Sequence, residues 1–273
     1  MKNTQEKRNA FHALHQSGCF VMPNPWDQGS ARALEQMGFK ALASTSAGLC
    51  WSRGHADGHL GLEQTLEHLQ QLAAFTSLPV NADFESGFAD NAEGVYRNVL
   101  RATETGVAGL SIEDSTGNPD APLRPLEESL ERLQAAREAI DASGSKVLLT
   151  GRAEHFFVGM PDLDDCLHRL QAYAKAGADC LYAPGIRTRE QITAVIGAVA
   201  PKPVNVLIGW DSDLSVAELE SLGVRRISVG GALARAAWNG FLQAARQIAE
   251  QGRFDALGQG TPAKELNERF ADS

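Results

Sequence analysis

The sequence predicts a single α/β domain folded as a (β/α)8 barrel, with an extra helix at its C-terminus. Three observations carry this reading. Eight short β-rich runs recur along the chain, each followed by a helical pattern, and several of those helices stop at a glycine just before the next strand. The third observation is an absence. An open doubly wound sheet that binds dinucleotides shows a G-x-G-x-x-G turn after its first strand, and the sequence has neither that turn nor a Walker A lysine loop.

Taken in order, the β-rich runs are residues 19–23, 41–45, 79–85, 109–113, 146–152, 180–183, 203–207 and 226–229. Amphipathic segments between them include 62–75, 92–105, 126–142, 163–176 and 232–250. In the fourth of these, Leu167, Leu170, Tyr173 and Ala174 recur at three- and four-residue steps, the period of a helix with one buried face. Met37-Gly38, Thr105-Gly106, Ala176-Gly177 and Leu222-Gly223 mark helix ends, where glycine accepts the left-handed turn that a side chain resists. Ahead of the first run, residues 1–16 mix Lys2, Glu6, Lys7 and Arg8 with Phe11 and Leu14, an N-terminal helix without the apolar stretch of a signal peptide. Thr261-Pro262 starts the extra helix in the tail 253–273. No linker or compositional break divides the 273 residues, so residues 1–273 are read as one domain.

Composition narrows the function classes. Hydrophobic residues make up 43% and charged residues 22%, enough apolar surface for a packed core and against intrinsic disorder. No stretch approaches the roughly 20 apolar residues of a membrane span, so a cytoplasmic protein is expected. The 34 acidic and 25 basic residues leave a net charge of −9 with no basic cluster, which argues against a nucleic-acid partner. Cys19, Cys50, Cys166 and Cys180 form no C-x-x-C pair and read as reduced thiols.

Chemistry in such a barrel sits at the C-terminal ends of the strands. In the third run, Asn81, Asp83 and Glu85 share a face and should point into the barrel mouth, while Val80, Ala82 and Phe84 face the helices. By the same alternation Ser111 and Glu113 point inward from the fourth run. Three inward carboxylates repel one another unless protonated or held by a cation. Their hard oxygen donors, with no convergent His or Cys, suit Mg2+ or Mn2+. Taken singly, Glu113 or Asp114 could equally cap the following loop. Arg152, inward on the fifth run, can hold a substrate carboxylate through paired hydrogen bonds, or form a structural salt bridge with Glu113 or Glu154; the two roles are compatible. Asn24, Thr45, Ser46 and Asn205 add uncharged donors, each of a type that also forms turns and packing contacts.

A resemblance follows from residues in chain order: Asn24-Pro25-Trp26-Asp27, Ser44-Thr45-Ser46-Ala47-Gly48, Gly54-His55-Ala56-Asp57-Gly58, Asn81-Ala82-Asp83-Phe84-Glu85-Ser86-Gly87-Phe88, Ser111-Ile112-Glu113-Asp114-Ser115 and Gly151-Arg152-Ala153. Asn205-Val206-Leu207 and the segment from Ser228 to Ala236 continue it. The chain resembles the isocitrate lyase/phosphoenolpyruvate mutase superfamily over nearly the whole barrel. The resemblance implies a Mg2+-dependent lyase or mutase that makes or breaks a C–C or P–C bond of a small 2-oxo or 2-hydroxy acid through a metal-stabilised enolpyruvate. It implies that Asp83, Glu85 and Glu113 serve the metal and that Arg152 binds substrate. It implies also that Asp57 acts from a mobile loop, and that Thr45, Ser46 and Ala47 hold the substrate carboxylate largely through backbone N–H groups. A homo-oligomer, tetramer or dimer, is implied as well.

Two departures stand out. Glu85 occupies a position where many members carry Asp. The loop 115–125 contains no Cys, Lys or His, where the lyases carry a Lys-Lys-Cys-Gly-His lid, and it is stiffened by Pro119, Pro122 and Pro125. His55, Glu154 and His155 remain as proton-transfer candidates, each equally able to be structural. A barrel that binds a small carboxylate without turning it over is the alternative function. Gly230-Gly231 could cradle a phosphate or simply let a helix approach a strand closely.

Overall fold

The computed structural model describes residues 2–271. Eight parallel strands alternate with helices around a nearly closed barrel: β1 (Phe20–Met22), β2 (Leu42–Ala43), β3 (Val80–Asp83), β4 (Gly109–Glu113), β5 (Leu148–Arg152), β6 (Cys180–Tyr182), β7 (Val204–Leu207) and β8 (Arg226–Ser228). The helices are α1 (Thr4–Leu14), α2 (Gln28–Gln36), α3 (Ser46–Ser52), α4 (Leu62–Phe75), α5 (Ala92–Glu104), α6 (Leu126–Ser143), α7 (Leu163–Lys175), α8 (Arg189–Val199), α9 (Val216–Ser221), α10 (Ala232–Gln251) and α11 (Ala263–Phe270). Each β-rich run of the sequence contains a strand; residues 109–113 are matched in full and the other runs are trimmed at one or both ends. The glycines expected at helix ends do adopt left-handed backbone, with φ of 86° at Gly38, 90° at Gly106, 109° at Gly177 and 96° at Gly223.

Strand ladders run continuously from β1 through β8, β7, β6, β5, β4 and β3 to β2. Between β1 and β2 no ladder forms. The gap is bridged by one backbone bond, from the Ala43 N–H to the Pro23 carbonyl (3.0 Å), and by the Asn24 amide donating to the Ser44 carbonyl (2.8 Å).

Residues of β3, β4 and β5 that point outward, such as Ala82, Leu110, Ile112 and Leu149, join Phe84 just beyond β3 and the apolar faces of the helices in the largest core cluster. Inside the barrel, the lower end is filled by Phe20, Met22, Ala43, Leu148 and Cys180, against which α1 inserts Phe11. This helix is clamped by its own cations. Lys7 donates to the carbonyls of Ala73 and Thr76, and Arg8 to those of Thr103 and Val107. Positive charge at the last carbonyls of α4 and α5 is favourable because these carbonyls carry the negative end of each helix dipole. One end of the cylinder is thus plugged, and the polar residues are left at the other. Among the described residues no helix is long and apolar enough to cross a membrane.

Candidate active site

The metal- and substrate-site residues nominated from the sequence, Asn24, Thr45, Ser46, Ala47, Asp57, Asp83, Glu85, Glu113, Arg152 and Asn205, all line one cavity of about 410 Å³ at the C-terminal ends of the strands. Its charged lining consists of Asp57, Asp83, Glu85, Glu113 and Glu154 with Arg152 and Arg226. Lysine and histidine are absent from it.

Arg152 is the centre of the arrangement. β4 and β5 pair with Glu113 beside Arg152, and the alternation of the strands sends both side chains inward. The guanidinium reaches Asp83 Oδ1 at 2.7 Å, Glu113 Oε2 at 3.1 Å and Glu154 Oε1 at 2.8 Å, and stacks 5.1 Å from the centre of the Tyr182 ring. All four of these charged side chains are mostly withdrawn from water. Burial works against the charge of Arg152, but its carboxylate partners outweigh it and hold its pKa well above the ordinary value. Desolvation pushes Glu113 and Glu154 up, and the Arg152 charge opposes this only in part. One guanidinium does not neutralise three carboxylates.

Asp83 is fixed on its other oxygen by the Ser46 N–H at 3.0 Å, which ties the start of α3 to β3. Glu85, just beyond β3, has left-handed backbone (φ 46°), a strained conformation for a side chain of this kind that recurs at functional sites. No hydrogen bond or ion pair engages its carboxylate among the described residues. Burial first, then Asp83 and Asp57, push it up to about 7. Asp57 is raised for the same reasons, with a hydrogen bond from Ser46 opposing.

Among the described residues no three metal-ligating side chains converge into a finished cage. The donor chemistry nevertheless fits a hard divalent cation at one end of the site. Asp57, Asp83 and Glu85 are oxygen donors whose mutual repulsion no protein cation fully relieves. Glu113, expected to share the ion, also pairs with Arg152 at 3.1 Å. The register that pairs β4 with β5 places the two side by side.

A test follows from the signs. A carboxylate raised in the folded state takes up protons on folding, so it costs stability progressively as pH rises from about 4.5 through about 7. Glu85→Gln should therefore stabilise the metal-free protein at pH 8 and leave it nearly unchanged at pH 4.5. Thermal melts in EDTA at the two pH values check this, and an equal shift at both would contradict it.

Other nominated residues have their polar groups occupied. Asn24 Oδ1 accepts the N–H groups of Val229 and Gly230, so with its bond to Ser44 it laces the β1–β2 gap to the end of β8. Thr45 caps α3 by accepting the Gly48 N–H at 3.2 Å. With Ser46 and Gly48 so engaged, Ala47 carries the remaining N–H of this turn. Asn205 bonds Ser228 and receives Arg226 Nε at 2.9 Å. The Gly230 N–H is taken by Asn24; a Cβ on Gly230 would sit 3.2 Å from Leu207 of β7, and one on Gly231 3.1 Å from the Trp51 ring of α3, so this glycine pair lets the start of α10 approach both closely. His55 lies on the exposed loop outside the cavity, and buried His155 bonds Asp165 at 2.7 Å and also lies outside it. Glu154 is the proton-transfer candidate that lines the cavity. In the loop after β4, Ser115, Thr116 and Gly117 line the rim, while Thr116 accepts no side chain and bonds back to Pro122 and Ala121.

Two further groups shape the site: Asp114, read from the sequence only as a possible cap of the loop, and Arg226, not nominated at all. Asp114 points out of the barrel and accepts the Glu154 N–H (2.9 Å), the Tyr173 hydroxyl (2.8 Å) and Arg169 Nη1 (3.2 Å). Arg169 also donates to the Arg124 carbonyl, so one buried carboxylate holds the base of the β4 loop and the segment that carries Glu154. Asp114→Asn leaves the Arg169 charge poorly matched and should cost about 3 kcal/mol, read as a lower urea midpoint. The second group is Arg226, 1% exposed at the cavity floor, which is satisfied by neutral Asn205, Thr150, Asn81 and His15. The outward alternation of Asp114 was legible; its partners on α7, distant in sequence, were not.

Residues 11–249 match the phosphoenolpyruvate phosphomutase family. An oxaloacetate decarboxylase of Pseudomonas putida (strain GB-1) is 31% identical over 237 residues, covering 84% of this chain and 80% of its own. Among solved structures, a candidate lyase/mutase from Burkholderia cenocepacia J2315 superposes with a TM-score of 0.95 at 45% identity, covering 98% of both chains. Oxaloacetate acetylhydrolase in complex with the product oxalate superposes at 0.86 with 25% identity, covering 98% of this chain and 95% of its own. With its family match spanning the barrel and its acidic mouth built around Arg152, the chain belongs to the phosphoenolpyruvate phosphomutase family, among the lyases and mutases of the PEP mutase/isocitrate lyase superfamily.

Proposed function

We propose that the protein cleaves the C–C bond one carbon beyond the oxo carbon of a small 2-oxo acid, with oxaloacetate, whose C3–C4 bond releases carbon dioxide, the first substrate to test. The carrying observation is the division of the cavity. Asp57, Asp83, Glu85 and Glu113 come from the β2, β3 and β4 side, whereas the β5, β6 and β7 side adds Arg152, Glu154, Tyr182 and Asn205 together with apolar Val158, Pro184 and Leu207. Asp83 and Glu85, with Asp57 beside them, would hold a divalent ion, Mg2+ or Mn2+. Such an ion supplies Lewis-acid stabilisation of negative charge developing on the oxo oxygen. Arg152 keeps N–H groups beyond its three ion pairs and is placed to receive the substrate carboxylate, with the Ala47 N–H as a second donor. The bond electrons stay on the carbon next to the oxo group, and the fragment beyond it leaves toward Val158, Pro184 and Leu207.

A departing phosphoryl group or a dicarboxylate product would need a cation on that side, and the lining offers none beyond Arg152 and floor-bound Arg226. Carbon dioxide needs none, which favours C–C over P–C chemistry. The P. putida relative, named an oxaloacetate decarboxylase, supports the same choice. Pyruvate release from oxaloacetate, phosphonopyruvate and 2-methylisocitrate, each corrected for the rate with Mg2+ alone, tests the reading. Oxaloacetate is expected to be preferred. Stabilisation by oxalate without turnover of any of the three would make the protein a carboxylate-binding barrel instead.

The chain is also proposed to work as a homo-oligomer. Trp238 and Phe241 on α10, with Phe254 and Leu257 beyond it, are exposed apolar side chains that a second copy would cover. Light scattering of the purified protein decides this.

A further inference from the structure

Behind the acidic end of the cavity lies a smaller void of about 10 Å³, the room of a single water molecule. Asp83, Glu85 and, from α4, Thr65 and His68 are among the residues that border it; His68 also borders a larger cavity with Asp27 and Arg53. His68 is 5% exposed, and its Nε2 is buried without a hydrogen-bond partner. A buried ring nitrogen left unpaired is costly, and a native fold seldom keeps one without water or an ion to satisfy it. Burial and neighbouring Arg53 hold the ring down to about 4, with Asp27 opposing, so at neutral pH it is uncharged and offers one donor and one acceptor. Of the two carboxylates that border the void, Glu85 has no protein partner of its own, whereas Asp83 is already engaged by Arg152 and Ser46.

We propose that one ordered water fills this void and joins His68 Nε2 to Glu85, so that His68 is a positioning residue for the acidic end of the site. The inference goes beyond the proposed reaction: the water and its partners are there whatever substrate the mouth takes. Held from behind, Glu85 presents its outer oxygen to the cavity in a fixed orientation. Such supports behind a ligand are commonly worth a factor of about 10–100 in metal affinity.

The test combines a crystal structure with Mn2+ titration followed by electron paramagnetic resonance. A water peak within hydrogen-bond distance of His68 Nε2 is expected in the unsubstituted protein. His68→Leu should weaken Mn2+ binding by about 10–100-fold, and His68→Gln, which keeps a polar group near the void, should retain most of it. Melting in EDTA accompanies each variant, and a His68→Leu protein that does not fold is replaced by Thr65→Val, which should also weaken binding. A dry void overturns the proposal, as does Mn2+ affinity unchanged in His68→Leu. Failure of the unsubstituted protein to bind Mn2+ would overturn the metal reading of the site instead, and the crystallographic water then decides this inference by itself.

Discussion

Asp83→Ala should lower metal-dependent turnover by about a thousandfold while leaving the fold intact. Asp83 is the one side chain that touches each part of the site: Arg152 at 2.7 Å, the Ser46 N–H at 3.0 Å, and Glu85 and Asp57 through repulsion. Its removal frees the start of α3, releases Arg152 from one of its three anchors and takes away a donor for the ion. Preorganised groups of this kind typically contribute a hundredfold to a thousandfold each. Stability should move little in EDTA, because the lost ion pair is offset by relief of repulsion at Glu85 and Asp57. Turnover with Mg2+ and a thermal melt in EDTA check the two halves separately. A variant that keeps Mg2+-dependent turnover would refute the assignment of this residue.

Arg152→Ala should do the opposite to stability. It leaves Asp83, Glu113 and Glu154 crowded in a site mostly withdrawn from water, with no counter-charge between them. Breaking a buried ion pair from one side costs about 3–5 kcal/mol. Glu113 and Glu154 are raised even with Arg152 present, so without it they take up still more protons in the folded state. Groups raised in this way cost nothing below the ordinary carboxylate range, and their cost grows as pH rises above it. The deficit of the variant should therefore be larger at pH 8 than at pH 5, read from urea midpoints at the two values. Arg152→Lys should recover part of the stability but little turnover, since a single ammonium cannot reach three carboxylates and a substrate at once. A pH-independent deficit would show that the three acids do not depend on the guanidinium.

The barrel was legible because each of its signals is local. Alternation in 79–85, three- and four-step periodicity in 163–176 and glycine at helix ends are all set by neighbours in the chain. Inward placement of Asp83, Glu85, Glu113 and Arg152 follows from the same period of two, which is why these residues meet in one cavity. What the sequence could not convey is which inward group finds which. Glu113 meets Arg152 because of how β4 and β5 register, and Asn24 is consumed by a gap between strands that only the closed barrel creates. The clamp on Asp114 and the unpaired nitrogen of His68 depend on contacts with α7 and α4 across the layers, beyond the reach of any local pattern.

The lacing between β1 and β2 bears on how the cylinder comes apart. Seven of its staves' joints are continuous ladders, and the eighth rests on one main-chain bond plus the side chain of Asn24. That joint is the natural starting point for unrolling, so deuterium should enter the Ala43 amide faster than those at the β4–β5 junction. Asn24→Ala should widen that difference further.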